Sequence, residues 1–398
     1  MTGNARQRKE GRMAGSYTKG DLEPAVKNVL ITGGAGFIGS HLAADLIARG
    51  YRVTLLDNLS AQIHGENAPP PQLAGTSTFI RGDVRSREDW LRALRDQDVV
   101  VHLAAETGTG QSMYAVERYM DVNVRGTALL LDLLANQSHR VGRIVIASSR
   151  AVYGEGKYRC PQHGVVYPES RKAADMQRGD FSIKCPQCAL ELALVPTDED
   201  SRLHPESIYG ISKHAQEQMV LVTGRALGIP VVALRYQNVY GPGQSLRNPY
   251  TGILSIFSTR IRHGAPISIF EDGTESRDFV YIDDVVNATR LAIESDAAAH
   301  GVFNVGSGVA TSVLAVAHGL REGLGGDSTV EVDGRFRLGD IRHNLADITR
   351  IRHALGFEPR TGFAQGLDRF IAWVRTQELP VDQFARSIEE LERRGLYK

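Results

Sequence analysis

Val29-Leu30-Ile31-Thr32-Gly33-Gly34-Ala35-Gly36-Phe37-Ile38-Gly39 is the stretch on which the fold of this chain turns. An apolar run reads as a buried strand, glycines three apart read as a tight turn, and Phe37 and Ile38 open an amphipathic helix that continues through His41-Leu42-Ala43-Ala44-Asp45-Leu46-Ile47. Gly33 permits the turn, Gly36 lets the backbone approach a pyrophosphate, and Gly39 lets helix and strand pack closely. The helix start offers unpaired N–H groups and a positive dipole end to phosphates. A second strand, Arg52-Val53-Thr54-Leu55-Leu56, ends in Asp57, where an acid hydrogen-bonds an adenosine ribose. Strand, glycines, helix, strand and acid in this order predict a dinucleotide site. Asp57 would repel a 2′-phosphate, and the following Asn58-Leu59-Ser60 brings no arginine to neutralise one. NAD is therefore the expected cofactor.

The chain has 398 residues, enough for one large α/β unit and a smaller companion. Lys+Arg and Asp+Glu both number 46, so the zero net charge gives no general attraction to nucleic acid or to an acidic membrane. No apolar stretch approaches a membrane span. Residues 1–26 read as a disordered leader without the apolar core of a signal peptide, and a cytoplasmic location is expected. Strand-like runs at 27–32, 52–56, 78–81, 99–103, 143–147 and 230–235 alternate with helical patterns, as in a parallel sheet covered on both faces. This predicts a Rossmann-type doubly wound α/β domain over 27–237. A smaller substrate domain over 238–398 follows, with 281–305 returning to the first.

The chemistry is expected in Ser207-Ile208-Tyr209-Gly210-Ile211-Ser212-Lys213. Tyr209 and Lys213 lie four apart in a helical pattern and so share a face. A nearby ammonium favours phenolate and draws the tyrosine towards the pKa that a general base needs. Tyr153 and Lys157 have the same spacing, but Gly154 and Gly156 between them mark a loop and coincidence. Ser149 closes the fifth strand, at the carboxyl-end crevice where doubly wound sheets bind ligands.

Together these motifs resemble the extended short-chain dehydrogenase/reductase family of nucleotide-sugar epimerases and dehydratases, over residues 27–375. The resemblance implies a catalytic trio of Ser149, Tyr209 and Lys213. It places Asp83 and Val84 on the adenine side, and Leu103, Ala104, Ala105, Asn123, Ser148 and Tyr236 also against the cofactor. It assigns Asn238, Arg277, Arg337 and Asp340 to a sugar diphosphate and its nucleotide. Dehydratases and decarboxylases of the family carry acidic residues just after the catalytic Ser/Thr, where this chain has Arg150 and Ala151. Transient oxidation and 4-epimerisation of the sugar is the expected reaction. A 4-epimerase of UDP-sugars, a net nucleotide-sugar oxidoreductase and a non-catalytic dinucleotide-binding scaffold are the alternatives. The helical segments 114–136 and 206–228 match those that pair across a two-fold axis in the family, implying a homodimer.

All three cysteines fall in one segment, as Cys160-Pro161-Gln162-His163 and Cys185-Pro186-Gln187-Cys188. Two such knuckles can set Cys160, His163, Cys185 and Cys188 around a structural zinc, leaving no position open for substrate. They lie in an insertion over 157–196, between Ser149 and Tyr209. Within the family this arrangement is most similar to the subgroup that interconverts dTDP-L-rhamnose and dTDP-6-deoxy-L-talose.

Overall fold

The computed structural model describes residues 27–66, 77–250 and 252–398. The expected leader and the Pro69-Pro70-Pro71 loop lie outside the described residues. Seven parallel strands form the central sheet: β1 (Asn28–Thr32), β2 (Arg52–Asp57), β3 (Thr78–Arg81), β4 (Val99–His102), β5 (Arg143–Ser149), β6 (Val231–Tyr236) and β7 (Gly301–Val305). Their order is β3-β2-β1-β4-β5-β6-β7. Six of these are the strands expected from apolar runs. Both faces of the sheet are covered, which is why the strands read as continuous apolar runs and not as alternations. Side chains of β1 still divide by face. Val29 and Ile31 pack with Leu42 and Leu46 of helix α1 (Phe37–Ala48), whereas Leu30 packs with Leu130, Leu133 and Val220 on the opposite side.

That opposite side is built by α2 (Gly126–Asn136) and α3 (Ile208–Leu227). The expected helix at 114–136 is divided: a helical turn at Val116–Tyr119 passes through a π-helical stretch, Met120–Arg125, before α2. Helix α3 starts where the Ser207 hydroxyl accepts the Gly210 N–H, and it stops at Gly228, which is left-handed at φ 68°. After β6 the chain leaves the sheet, then returns through α4 (Ile282–Glu294), which packs beside α1, and β7. A three-stranded sheet of Asn238–Tyr240, Ser276–Tyr281 and Ala310–Ser312, with residues from 243–271, Arg337, Asp340 and 384–391, forms the other wall of a long cavity. No helix among the described residues is long and apolar enough to cross a membrane.

Candidate active site

The cavity measures about 640 Å³ and runs from the glycine turn, past the ends of β4 and β5, to the substrate half. Gly33 needs its glycine twice over: its φ is 66°, and a Cβ there would sit 2.8 Å from the Ala104 nitrogen. A Cβ on Gly39 would lie 2.4 Å from the Gly33 carbonyl oxygen, so Gly39 sits behind the turn and sets helix packing. Gly33, Gly36, Phe37 and Ile38 line the cavity, as do Asp57, Asn58, Asp83, Val84, Leu103, Ala104 and Ala105. The Asp57 carboxylate accepts the Ala35 N–H at 3.0 Å and the Leu59 N–H at 2.8 Å, tying the second strand to the turn. Burial would raise the Asp83 carboxyl, but hydrogen bonds from Arg85 and Asn58 hold it at about 2. Asn123 stands apart from this wall. It is fully buried, donates to Ser212 Oγ at 2.9 Å and accepts the Glu106 N–H at 2.8 Å, so it braces the loop after β4 from behind.

Ser148, Ser149, Tyr209, Lys213 and Tyr236 meet in the middle of the cavity. The Ser148 hydroxyl turns away and donates to Glu217 at 2.6 Å, and Glu217 is itself held by buried Arg235 at 2.6 Å. The Tyr209 N–H donates to Ser112 Oγ at 3.1 Å, and Tyr119 lies edge-on to its ring. Lys213 donates to the Ala147 carbonyl at 2.8 Å, and burial lowers its pKa to about 7. The electrostatics therefore differ from those read in the sequence. Burial pushes the Tyr209 phenol up, and the groups that pull it back are the Ser149 hydroxyl and the Arg150 guanidinium. Arg150 is the positive group that draws the Tyr209 pKa down.

Arg150 lines the cavity immediately after Ser149, with Asp340, Arg277 and Tyr209 in its electrostatic surroundings. In the sequence Arg150 counts only against dehydration and decarboxylation. Its position next to a strand-end serine was the signal available. The Tyr153–Lys157 pair takes no part in the cavity. The Tyr153 hydroxyl donates to Asn304 and accepts from Arg235, both at 2.8 Å, and Lys157 pairs with Asp198.

At the far end Asn238, Arg277, Arg337 and Asp340 line the cavity. Asn238 Oδ1 and Arg337 Nε are buried with no hydrogen-bond partner among the described residues. Polar atoms in that condition are costly unless something arrives to pair with them. Arg337 meets Asp340 at 2.8 Å and lies over the Phe270 ring. Arg277 does not present an open fork. Its Nη1 donates to the Ser276 and Arg342 carbonyls and its Nη2 to the Ile341 carbonyl, at 2.9–3.0 Å. An arginine that the resemblance assigns to the sugar diphosphate thus spends three of its donors on backbone carbonyls.

The insertion folds around a three-stranded antiparallel sheet of Tyr158–Cys160, Gly164–Val166 and Ala193–Leu194. It brings together ligand atoms of Cys160, His163, Cys185 and Cys188, all within 4.8 Å of one another. Cys160 Sγ lies 3.6 Å from Cys188 Sγ, and His163 Nδ1 lies 3.5 Å from both Cys160 and Cys185 Sγ. Thiolates at ordinary zinc–sulfur distances around a tetrahedron stand about 3.8 Å apart, so the donor set suits such an ion. Each knuckle ends in a left-handed residue, Gly164 at φ 69° and Ala189 at φ 60°.

The model of the NAD dependent epimerase/dehydratase family matches residues 29–172 and 189–306. The dTDP-L-rhamnose 4-epimerase of Burkholderia thailandensis is 38% identical over 356 residues, covering 89% of this chain and 96% of that protein. The structure of Thermotoga maritima UDP-glucose 4-epimerase with UDP-glucose superposes with a TM-score of 0.69 at 31% identity, covering 87% of this chain and 98% of that one. That of the Thermus thermophilus UDP-glucose 4-epimerase complexed with NAD gives 0.69 at 28% identity, covering 88% and 100%. Glycine turn, strand-end serine and paired tyrosine and lysine thus sit in a fold shared with these enzymes, and the chain belongs to the NAD-dependent epimerase/dehydratase family.

Proposed function

We propose that this chain is an NAD-dependent nucleotide-sugar 4-epimerase, and that its sugars are dTDP-L-rhamnose and dTDP-6-deoxy-L-talose. The observation that carries the reading is one continuous cavity in which Ser149, Tyr209 and Lys213 stand between a glycine-turn end and an end bearing Asn238, Arg337 and Asp340. The glycine turn, Asp57 and Asp83 suit the dinucleotide, and Lys213 would hold its nicotinamide ribose. When bound, NAD supplies the hydride acceptor and donor for the sugar's C4. Tyr209, as phenolate, takes the proton of the C4 hydroxyl and later returns one, while Ser149 orients that hydroxyl. Arg337 and Asn238 meet the diphosphate, and Asp340 the nucleotide ribose. Arg150 and Ala151 offer no acid–base pair for eliminating water, which favours epimerisation. The 38% identity to the Burkholderia enzyme supports the thymidine nucleotide and the 6-deoxy sugar.

A structural zinc on Cys160, His163, Cys185 and Cys188, and a homodimer, belong to the same proposal. The test is turnover of C4-deuterated dTDP-L-rhamnose without added cofactor, followed by NMR. Talose product that keeps its deuterium is expected, because only the hydroxyl proton exchanges through Tyr209. Solvent deuterium appearing at C4 would overturn the mechanism. A requirement for added NAD, with release of keto sugar, would mean a net dehydrogenase.

A further inference from the structure

Between its two knuckles the insertion sends a loop against the segment that carries Arg337 and Asp340. The Arg171 side chain, on that loop, is 5% exposed and does not line the cavity. Its Nε lies 3.3 Å from Glu155, its Nη2 donates to Glu271 at 2.8 Å, and the same Nη2 donates to the Asp340 backbone carbonyl at 2.9 Å. Arg342 reaches the same Glu271 at 2.9 Å, and its N–H donates to Glu155 at 2.9 Å. Two arginines and two glutamates from distant parts of the chain are thus buried as one network. Removing Arg171 takes a charged partner from both glutamates, leaving Glu271 to Arg342 and Glu155 to the Arg342 backbone N–H.

An apolar contact runs alongside. Phe181 meets Phe336 edge-on with ring centroids 6.3 Å apart, in a buried cluster with Met176 and with Leu338 packed beside it. The other edge of this segment is paired by backbone bonds, Phe336 N–H to Lys398 at 2.8 Å and Leu338 N–H to Leu396 at 3.0 Å. Met176 and Phe181 fall in residues 173–188, which the family model passes over. The clamp is therefore partly built from residues outside the shared pattern.

The geometry points to the insertion as the outer clamp of the substrate end, with Arg171 as a positioning residue that sets nucleoside-diphosphate affinity by fixing Asp340 and Arg337. Only the identity of the ligand rests on the proposed function. The test compares the full-length wild type with Arg171→Met and Phe181→Ala, after checking melting and retained NAD. KM for the nucleotide sugar should rise about tenfold or more, the worth of a misplaced charge-assisted contact. Affinities for dTDP and UDP, measured calorimetrically as probes, should fall in parallel, with kcat within about threefold and NAD retained. A merely structural role would lower kcat and NAD retention together, and that result overturns the clamp. Should Arg171→Met fail to fold, Phe181→Ala decides, since it removes no charged member of the network, only the ring beneath Arg342. Folded variants with wild-type KM overturn the clamp alone. A wild type that binds neither dTDP nor UDP overturns the functional reading and the clamp together.

Discussion

Tyr209 must give up a proton before it can act as a base, and its surroundings pull in opposite directions. Burial holds the proton on, while the Ser149 hydroxyl and the Arg150 guanidinium ease it off. Replacing Tyr209 by Phe should lower kcat by at least ~10²-fold in a steady-state assay, the usual worth of a positioned acid–base group. Tyr153→Phe should cost far less, because that phenol serves Asn304 and Arg235 away from the cavity. Arg150→Met removes the positive neighbour and raises the phenol's pKa. At a given pH fewer molecules then carry phenolate, so the rising limb of the kcat–pH profile should move to higher pH. An unmoved limb would take Arg150 out of the base's environment. The Tyr209–Lys213 pair was legible in the sequence because helical spacing alone puts both on one face. The ionisation of Lys213 was not, since burial to a pKa of about 7 depends on every element packed around it. Arg277 shows the same limit: its motif is visible, but two of the three carbonyls that occupy its fork come from residues 341 and 342, some sixty-five positions away.

Elements differ in how openly they announce themselves. The strands β1, β2, β4, β5 and β6 are long apolar runs because helices cover both faces, and a run of that kind survives in any context. Strand β7 carries Asn304, and that side chain is satisfied by partners far away in the chain, the Tyr153 hydroxyl and the Thr197 and Asp347 carbonyls. No local pattern marks it as a strand. The π-helical stretch at Met120–Arg125 is equally silent, since its residues suit an α-helix as well. The knuckles are the opposite case, fully written in cysteine spacing. Elemental analysis should find about one zinc per chain. Cys185→Ser should release it and open residues 157–196 to protease, while the NAD-binding sheet stays resistant. Metal-free wild-type protein would remove the ion from the account and leave four unligated side chains.

Across the whole molecule, the segments 116–136 and 208–227 present exposed Val116, Ile211, Val222 and Leu227 on the same side of the sheet. An isologous homodimer through this face is expected. Light scattering at micromolar concentration should give twice the 43.5 kDa chain mass, and a value near that single mass would refute it. The route of the chain through the sheet has a different consequence. Strand β7 reaches β6 only after the chain has gone out through the substrate half and come back along α4. Until then β6 is an open edge with unpaired N–H and C=O groups, and the face of α1 that receives α4 stays apolar and wet. Such edges template aggregation, and pairings between distant residues form slowly. A protein made from residue 27 to 250 alone would carry that edge permanently. The two halves are therefore one folding unit despite looking like two domains, and during synthesis the dinucleotide half waits for residues beyond 300 before it can close its own sheet.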